Sequence, residues 1–393
     1  MMKRICLFGS SENMGGTEMY LITIVRILKN DVRFDYLVYH DCKRIPFENE
    51  IISYGGQVYR EYYRNKEKNR QGYISPKKII EKHPEWDGIY LNVQKIHTAY
   101  RLLEEAKKAG LCYRIIHAHN NNYMSQIGFK DKLYELYFLL TKRKVITHYL
   151  ACSKNAGDWM FGKNTDVTVI PNAIDFNKFK MNDLIRMKMR KKYNITEDTI
   201  VLGFCGRLCY QKRPELLIDI IEEMKDFSRF TLLIVGGGEL FETIRTRAVE
   251  RNVVDKTIFV GATDNPNDFY QMMDCFVLPS RFEGFGIVLL EAQAAGIRCY
   301  TTDKVVPYET NVTGRVTFIP QEATASEWAK KIIEGGFDRV DCLSKLEESE
   351  YSMEVMYKKL LSVFIPEPTE NTAGGGNKSL QFTLQLEVYE AAA

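Results

Sequence analysis

Short apolar runs alternate with amphipathic stretches along most of this chain, and they do so in two separate series. "RICLF", "RFDYLVYH", "GIYLNV" and "YRIIHAHN" make up the first, and "TIVLGFCGRL", "FTLLIVGGG", "KTIFVGA" and "CFVLPS" the second. Between the runs lie segments of helical spacing, such as Tyr20, Ile24, Ile27 and Leu28, or "AYRLLEEAKKAG" with its Gly stop signal. Strands separated by helices cannot be joined as hairpins, so the pattern predicts parallel sheets covered by helices. The Pro-Asn turn in "TVIPNAIDFNKF" and the basic segment "RMKMRKKYNI" divide the two series. The expectation is an α/β chain of two doubly wound domains, for which 393 residues suffice at ~150 residues per domain. Beyond them "KLEESEYSMEVMYKKLLSVF" reads as a helix, "IPEPTENTAGGGNKS" is rich in breakers, and "LQFTLQLEVYE" alternates like an edge strand before a closing "AAA" that reads as a cloning remnant.

Composition narrows the class of function. The net charge of +3 is uneven: residues 1–175 hold 27 Lys and Arg against 19 Asp and Glu, and the remainder 27 against 32. A chain so near neutrality, with no recognition motif, is a poor match for nucleic acid. Nine cysteines without a C-x-x-C pair suit a reducing cytosol better than a disulfide framework or a zinc ribbon. The apolar run in "MMKRICLFGSSENMGG" stops after four residues, too short for a signal sequence, and no stretch is long enough to span a bilayer. The expected location is the cytoplasm, with membrane contact peripheral, on the inner face of the plasma membrane.

The chemistry gathers in the second series. "CGRLCYQKRPE" follows a strand and brings Arg207 and Lys212 to the top of a sheet, where open α/β folds bind ligands; paired cations there suit phosphate as well as they suit a solvated loop. After "CFVLPS", the loop Arg281 to Gly286 leads into "IVLLEAQAAG", whose first N–H groups can meet an anion, with Gly284 and Gly286 permitting close approach. Glu291 lies inside this apolar helix, where its charge is costly unless hydrogen-bonded, and Glu283 precedes it. A glycosidase pair would face each other across a bond. Two carboxylates flanking a phosphate site instead suit a ligand with hydroxyls on both sides of a diphosphate, the layout of a nucleotide-sugar.

"GRLCYQKRPE", "VGGGEL", "FVLPSRFEGFGIVLLEAQAAG" and "VIPNAID" together resemble the retaining glycosyltransferases of family four, nearest to bacterial capsule and exopolysaccharide transferases with a Glu-x7-Glu signature. The resemblance covers the chain to about residue 364 and implies the GT-B fold of two facing Rossmann-like domains. It implies an acceptor domain at residues 1–175, a nucleotide-sugar donor domain at 176–344, and a helix at 345–365 crossing back to the first domain. The tail 366–393 has no assigned role. Carried over by position, Arg207 and Lys212 hold the diphosphate, Glu283 the sugar hydroxyls and Glu291 the ribose. The N–H groups of Phe285, Gly286 and Ile287 approach the phosphates, as do Gly15 and Gly16 of "NMGGTEMY" across the cleft. The implied donor is a UDP-sugar and the acceptor a glycan or polyprenyl-linked glycan, with no metal or other cofactor.

In the first domain "RIIHAHNNNY" places His117 and His119 on one face of a strand end. No ligands at fitting spacing follow, which counts against zinc, and the absence of a full G-x-G-x-x-G counts against a nicotinamide cofactor. The resemblance puts a histidine of this strand end beside the transferring sugar; His119, nearer the loop, is chosen and His117 left as structural. "VYREYYRNKEKNRQGYISPKK", residues 58–78, interleaves tyrosines with Arg60, Arg64, Lys66, Lys68 and Arg70, suiting either anionic headgroups and a diphosphate-linked acceptor or an ordinary solvated loop. Two rivals stand beside the transferase: a UDP-sugar 2-epimerase of the same fold, and a catalytically degenerate partner subunit.

Overall fold

The computed structural model describes residues 2–10, 12, 16–63, 68–69, 71–93, 100–119, 129–141, 143–224, 229–263 and 265–365. Seven strands form the first sheet: β1 (Lys3–Phe8), β2 (Val32–Tyr39), β3 (Val58–Tyr62), β4 (Gly88–Asn92), β5 (Tyr113–Ala118), β6 (His148–Ala151) and β7 (Thr168–Val169). Six form the second: β8 (Ile200–Cys205), β9 (Phe230–Val235), β10 (Thr257–Gly261), β11 (Cys275–Leu278), β12 (Arg298–Thr302) and β13 (Val316–Ile319). All named pairs are parallel, in the orders β3-β2-β1-β4-β5-β6-β7 and β10-β9-β8-β11-β12-β13. Both sheets are therefore doubly wound, and each reverses its strand order at its own first strand, β1 or β8. Crevices open at the carboxyl ends of strands flanking such a reversal.

The strands read as near-continuous apolar runs because helices cover both faces. Val201, Leu202, Phe204, Leu232, Leu233, Phe276 and Val277 are all within 1% of complete burial, packed with helix residues such as Leu217, Ile221 and Trp328. Residues 58–62, part of the basic and aromatic stretch, are an edge strand with Tyr62 turned inward. Charged residues at such an edge discourage pairing with another chain.

Where one helix was expected at 345–365, the chain makes two, Leu343–Glu347 and Met353–Phe364. Ser352 caps the second, its Oγ accepting from the Val355 N–H at 3.3 Å, and so starts a new helix axis. This last helix returns to the first domain. Met356, Leu360, Val363 and Phe364 are buried there with Ile5, Leu7, Val32 and Phe34, and the Phe364 carbonyl accepts from Lys3 Nζ at 2.6 Å and Tyr113 Oη at 2.8 Å. A separate apolar cluster of Ile174, Phe176, Phe285, Leu290, Leu346 and Tyr351 joins the crossover segments to the second domain.

Candidate active site

β8 and β11 are neighbours, with Leu202 opposite Cys275, so the loops that follow them emerge side by side. The first loop is moulded by glycine. A Cβ on Gly236, after β9, would stand 2.0 Å from the Gly206 carbonyl oxygen, so only glycine lets the two loops lie together. The Leu208 N–H then donates to the Gly237 carbonyl at 2.8 Å, and the chain turns through the 3₁₀ segment Tyr210–Lys212.

Lys212 and Glu283 meet between these loops. Glu283 Oε1 accepts from Lys212 Nζ at 2.6 Å and from Ser280 Oγ at 2.5 Å, and its Oε2 lies 3.5 Å from Gln211 Nε2. The Glu283 side chain is 5% exposed and that of Lys212 16%. Two charges so far from water are stable only as a hydrogen-bonded pair, and loss of either would strand the other. The geometry is held by Arg281, whose N–H donates to the Gln211 carbonyl and whose Nη1 donates to the Tyr210 carbonyl, both at 2.8 Å. Its guanidinium also pairs with Glu215 and lies 4.3 Å from the centre of the Tyr210 ring.

Arg207 goes elsewhere. Its side chain is 72% exposed and pairs with Glu239 at 3.0 Å. The two cations assigned jointly to a diphosphate thus have different partners: Leu208, fully buried between them, anchors the loop while Arg207 extends into solvent.

Glu291 sits in the short helix Val288–Ala294, where it is partly buried, and its Oε2 accepts a 2.6 Å hydrogen bond from the hydroxyl of Tyr270, itself fully buried. Burial pushes its pKa up to about 7, against the opposing pull of the Tyr270 hydrogen bond and the Lys212 charge. The costly carboxylate read from the sequence therefore has its partner. Ahead of the helix, Gly286 adopts a left-handed φ of 84°, and among the described residues no carbonyl accepts from the N–H groups of Phe285, Gly286 or Ile287. With only seven residues the helix adds a modest dipole, so any anion affinity here rests on these amides. Gly284 lies beside them, and the Phe285 ring packs 4.9 Å from that of Tyr351 in the apolar cluster between domains.

In the first domain His117 and His119 stack at 4.2 Å, on one strand face as alternation requires. His117 is fully buried, with Nδ1 3.0 Å from the Tyr20 hydroxyl and also bonded to that of Tyr90. His119 is partly exposed, yet its Nε2 is buried and has no partner among the described residues. Burial pushes the His119 pKa down to about 3 and that of His117 well below the ordinary histidine value, so both rings are neutral near pH 7. Gly16 opens the helix Gly16–Leu28, and Gly15 lies outside the described residues. Among the described residues no three His, Cys, Asp or Glu side chains gather as a metal site.

Of the basic patch, Arg60 and Lys68 are described. Arg60 is turned to Glu48 at 2.6 Å and to the carbonyls of Cys42 and Lys43 at 2.8 and 3.0 Å. Lys68 is exposed, while Arg64, Lys66 and Arg70 lie outside the described residues. Sequence reasoning also passed over Tyr270, Ser280, Gln211 and Arg281. Ser280 and Arg281 carried some signal, standing at the strand end just before Glu283; Tyr270, 21 residues from Glu291, carried none.

Residues 185–335 match the family described as Glycosyl transferases group 1. The putative glycosyltransferase EpsF of Bacillus subtilis (strain 168) is 26% identical over 336 residues, 84% of this chain and 87% of that protein. The capsular polysaccharide biosynthesis glycosyltransferase CapM of Staphylococcus aureus is 29% identical over 204 residues, 49% of this chain and 48% of its own length. Other matched relatives include GDP-mannose-dependent mannosyltransferases, of which the chain covers less than half. Among solved structures, Anabaena HepE in complex with UDP superposes with a TM-score of 0.74 at 16% identity, over 92% of this chain and 99% of that one. That likeness shows the fold, two facing doubly wound domains of the GT-B kind.

Proposed function

We propose that the chain, whose residues 185–335 match the glycosyl transferases of group 1, moves a sugar from UDP to a glycan or polyprenyl-linked glycan with retention of anomeric configuration. Its setting is surface polysaccharide biosynthesis, a reading supported by the role named for CapM, and its proposed place is the cytoplasmic face of the membrane.

The observation that carries the reading is the buried Lys212–Glu283 pair at the β8–β11 crevice. It keeps a cation and a hydroxyl-accepting carboxylate a hydrogen bond apart, as a sugar joined to a phosphate requires. On donor binding Lys212 turns from Glu283 to the diphosphate and Glu283 accepts from the sugar hydroxyls. The ionised Glu291 accepts from the ribose, and Arg207 and the amides of Phe285, Gly286 and Ile287 approach the phosphates. His119 and Gly16 complete the site from the other domain. The bond between the anomeric carbon and the diphosphate oxygen breaks, the acceptor oxygen bonds to the same face, and its proton passes to the departing diphosphate. Stabilising charge on that leaving group in a closed cleft is the main task of the protein, and closure also keeps water from the donor.

Nucleotide choice is tested by thermal unfolding with UDP, GDP, ADP and CDP. A ligand at ~100 times its Kd stabilises by about 2.7 kcal/mol. Stabilisation by UDP supports the reading, stabilisation by GDP instead moves it to the donor class of the mannosyltransferase relatives, and none by any diphosphate sinks it. A UDP-sugar incubated alone should stay unchanged, since a new isomer would mean an epimerase. Turnover should survive a chelator, as a metal-free site requires. Glu283→Ala should abolish transfer; unchanged turnover would favour a degenerate partner subunit.

A further inference from the structure

The short helix Asn267–Met272 leads into β11, and its backbone is fastened by side chains from the linker helix Asp183–Lys192. Arg186 donates to the carbonyls of Gln271, Met272 and Met273 at 3.1, 3.3 and 3.1 Å, and Arg190 to that of Met272 at 3.0 Å. Gln271 Oε1 accepts from the Asn182 N–H and its Nε2 donates to the Phe179 carbonyl, both at 3.0 Å. On this held backbone the Tyr270 ring is fully buried, with its centre 5.6 Å from those of both Phe179 and Phe276. Phenylalanine would fill the same space. The hydroxyl is the part that needs a partner at such depth, and that partner is Glu291.

Only one oxygen of that carboxylate is taken. Oε2 accepts from Tyr270 at 2.6 Å, while Oε1 has no hydrogen-bond partner among the described residues, and the side chain is only partly buried. A glutamate on a helix is otherwise free to turn about several bonds, and fixing it costs entropy. Lys212, from the turn after β8, also acts on the Glu291 charge, and Cys205, at the end of β8, is buried beside both Tyr270 and Glu291. Among the described residues the other elements packed on this helix bring no further charge to bear on the carboxyl: β11, β12, the turn Phe176–Lys178 and the helix Leu343–Glu347.

We infer that Tyr270 is a positioning residue for the nucleotide: its hydroxyl holds the Glu291 carboxylate so that Oε1 is left for a ribose hydroxyl. Tyr270 touches no ligand itself and acts through Glu291. A carboxylate fixed in advance loses less freedom on binding, and a hydrogen bond from Tyr270 favours the ionised form that accepts best. The inference rests on the assignment of Glu291 to the ribose.

The test is calorimetric titration of the full chain with UDP, 2′-deoxy-UDP and 3′-deoxy-UDP between about pH 6 and 9. The wild type should prefer UDP to at least one deoxy form by roughly tenfold. In Y270F, which keeps the ring between Phe179 and Phe276, UDP affinity should fall by roughly fivefold or more near pH 7 and the preference over the deoxy form should shrink. The pH at which affinity is half developed should move up by roughly one unit, since the ionised carboxylate has lost a donor. In an E291A background the same substitution should change UDP affinity little, because the two side chains act as one unit. A Y270F protein that unfolds earlier yet keeps the wild-type affinity, preference and pH midpoint overturns the inference, and so does an equal loss of affinity in E291A. If the wild type itself binds no nucleoside diphosphate, the proposed function falls; if it binds UDP and both deoxy forms alike, the ribose assignment falls before any variant is compared.

Discussion

The two domains end their sheets in polar sites built on opposite lines. After β8 and β11 the charged groups are satisfied by one another: Lys212 and Ser280 on Glu283, Tyr270 on Glu291, and Arg281 clamping both loops. After β5 the histidines are desolvated and neutral, and His119 Nε2 has no partner among the described residues. One site is pre-assembled by charge, while the other offers an uncharged ring with a hydrogen bond to spare. A preorganised polar site needs little rearrangement when charge develops, so the second domain should dominate chemistry and the first should tune it.

The sharpest break of that comparison is Lys212→Met, expected to lower kcat by roughly 10²–10³-fold and to destabilise by about 3 kcal/mol as Glu283 is left buried and unpaired. Adding Glu283→Gln should recover most of the unfolding temperature but none of the turnover, because stability needs only matched groups while catalysis needs the charge. His119→Ala should have a smaller effect, about 10- to 100-fold in kcat, with the dissociation constant for UDP unmoved in calorimetry. An equal loss of UDP affinity would dissolve the division of labour.

The two sites should also respond to pH with opposite signs. Glu291 is raised from 4.5 to about 7 in the folded state, so the fold binds its proton more tightly, and stability falls as pH rises between those values. Glu291→Gln should remove that slope and raise the unfolding temperature at pH 8, an effect on the order of 1–3 kcal/mol. UDP affinity in the wild type should meanwhile improve as pH rises through 7, since the ribose hydroxyls need an ionised acceptor; Glu291→Ala should mainly weaken nucleotide binding. His119 is depressed from 6.5 to about 3, so its contribution is full above 6.5 and is lost as pH falls below it, at up to about 1.4 kcal/mol per pH unit. Unfolding scans across pH 4 to 8 on His119→Asn and Glu291→Gln separate the two slopes.

The smallest expected effect is in the Lys212 loop. Arg213 holds a left-handed φ of 50°, a conformation that disfavours side chains. Arg213→Gly should stabilise by about 0.5–1 kcal/mol and leave turnover near wild type, because its Nη1 bond to the Gln321 carbonyl is exposed.

Most of the candidate site in the second domain was legible because it is local. Lys212, Glu283 and Glu291 stand at fixed short distances from strand ends, and strand ends follow from apolar periodicity. Arg207 was also located at a loop, but its partner Glu239 was not, because that pairing depends on how two loops from different strands lie together. The same holds for Tyr270 under Glu291 and for Arg281 between Tyr210 and Glu215, which are separated by 21, 71 and 66 residues. In the stretch 58–78, Arg60 folds back onto Glu48, a pairing that charge in sequence does not reveal.

By itself the sequence determined the alternation of strands and helices, the division into two domains, and which residue types stand at the ends of the second-domain strands. These follow from side-chain period and backbone conformation, which depend on neighbours a few residues apart. Only the tertiary structure decided that the last chain segment splits at Ser349–Ser352 and returns to the first core, and that Lys212 is spent on Glu283 rather than on Arg207's side of the loop. It alone showed that Leu133 and Leu136 of the helix at 129–141 are half exposed. Burial and ion pairing are properties of what lies across space, and no periodicity along the chain records them.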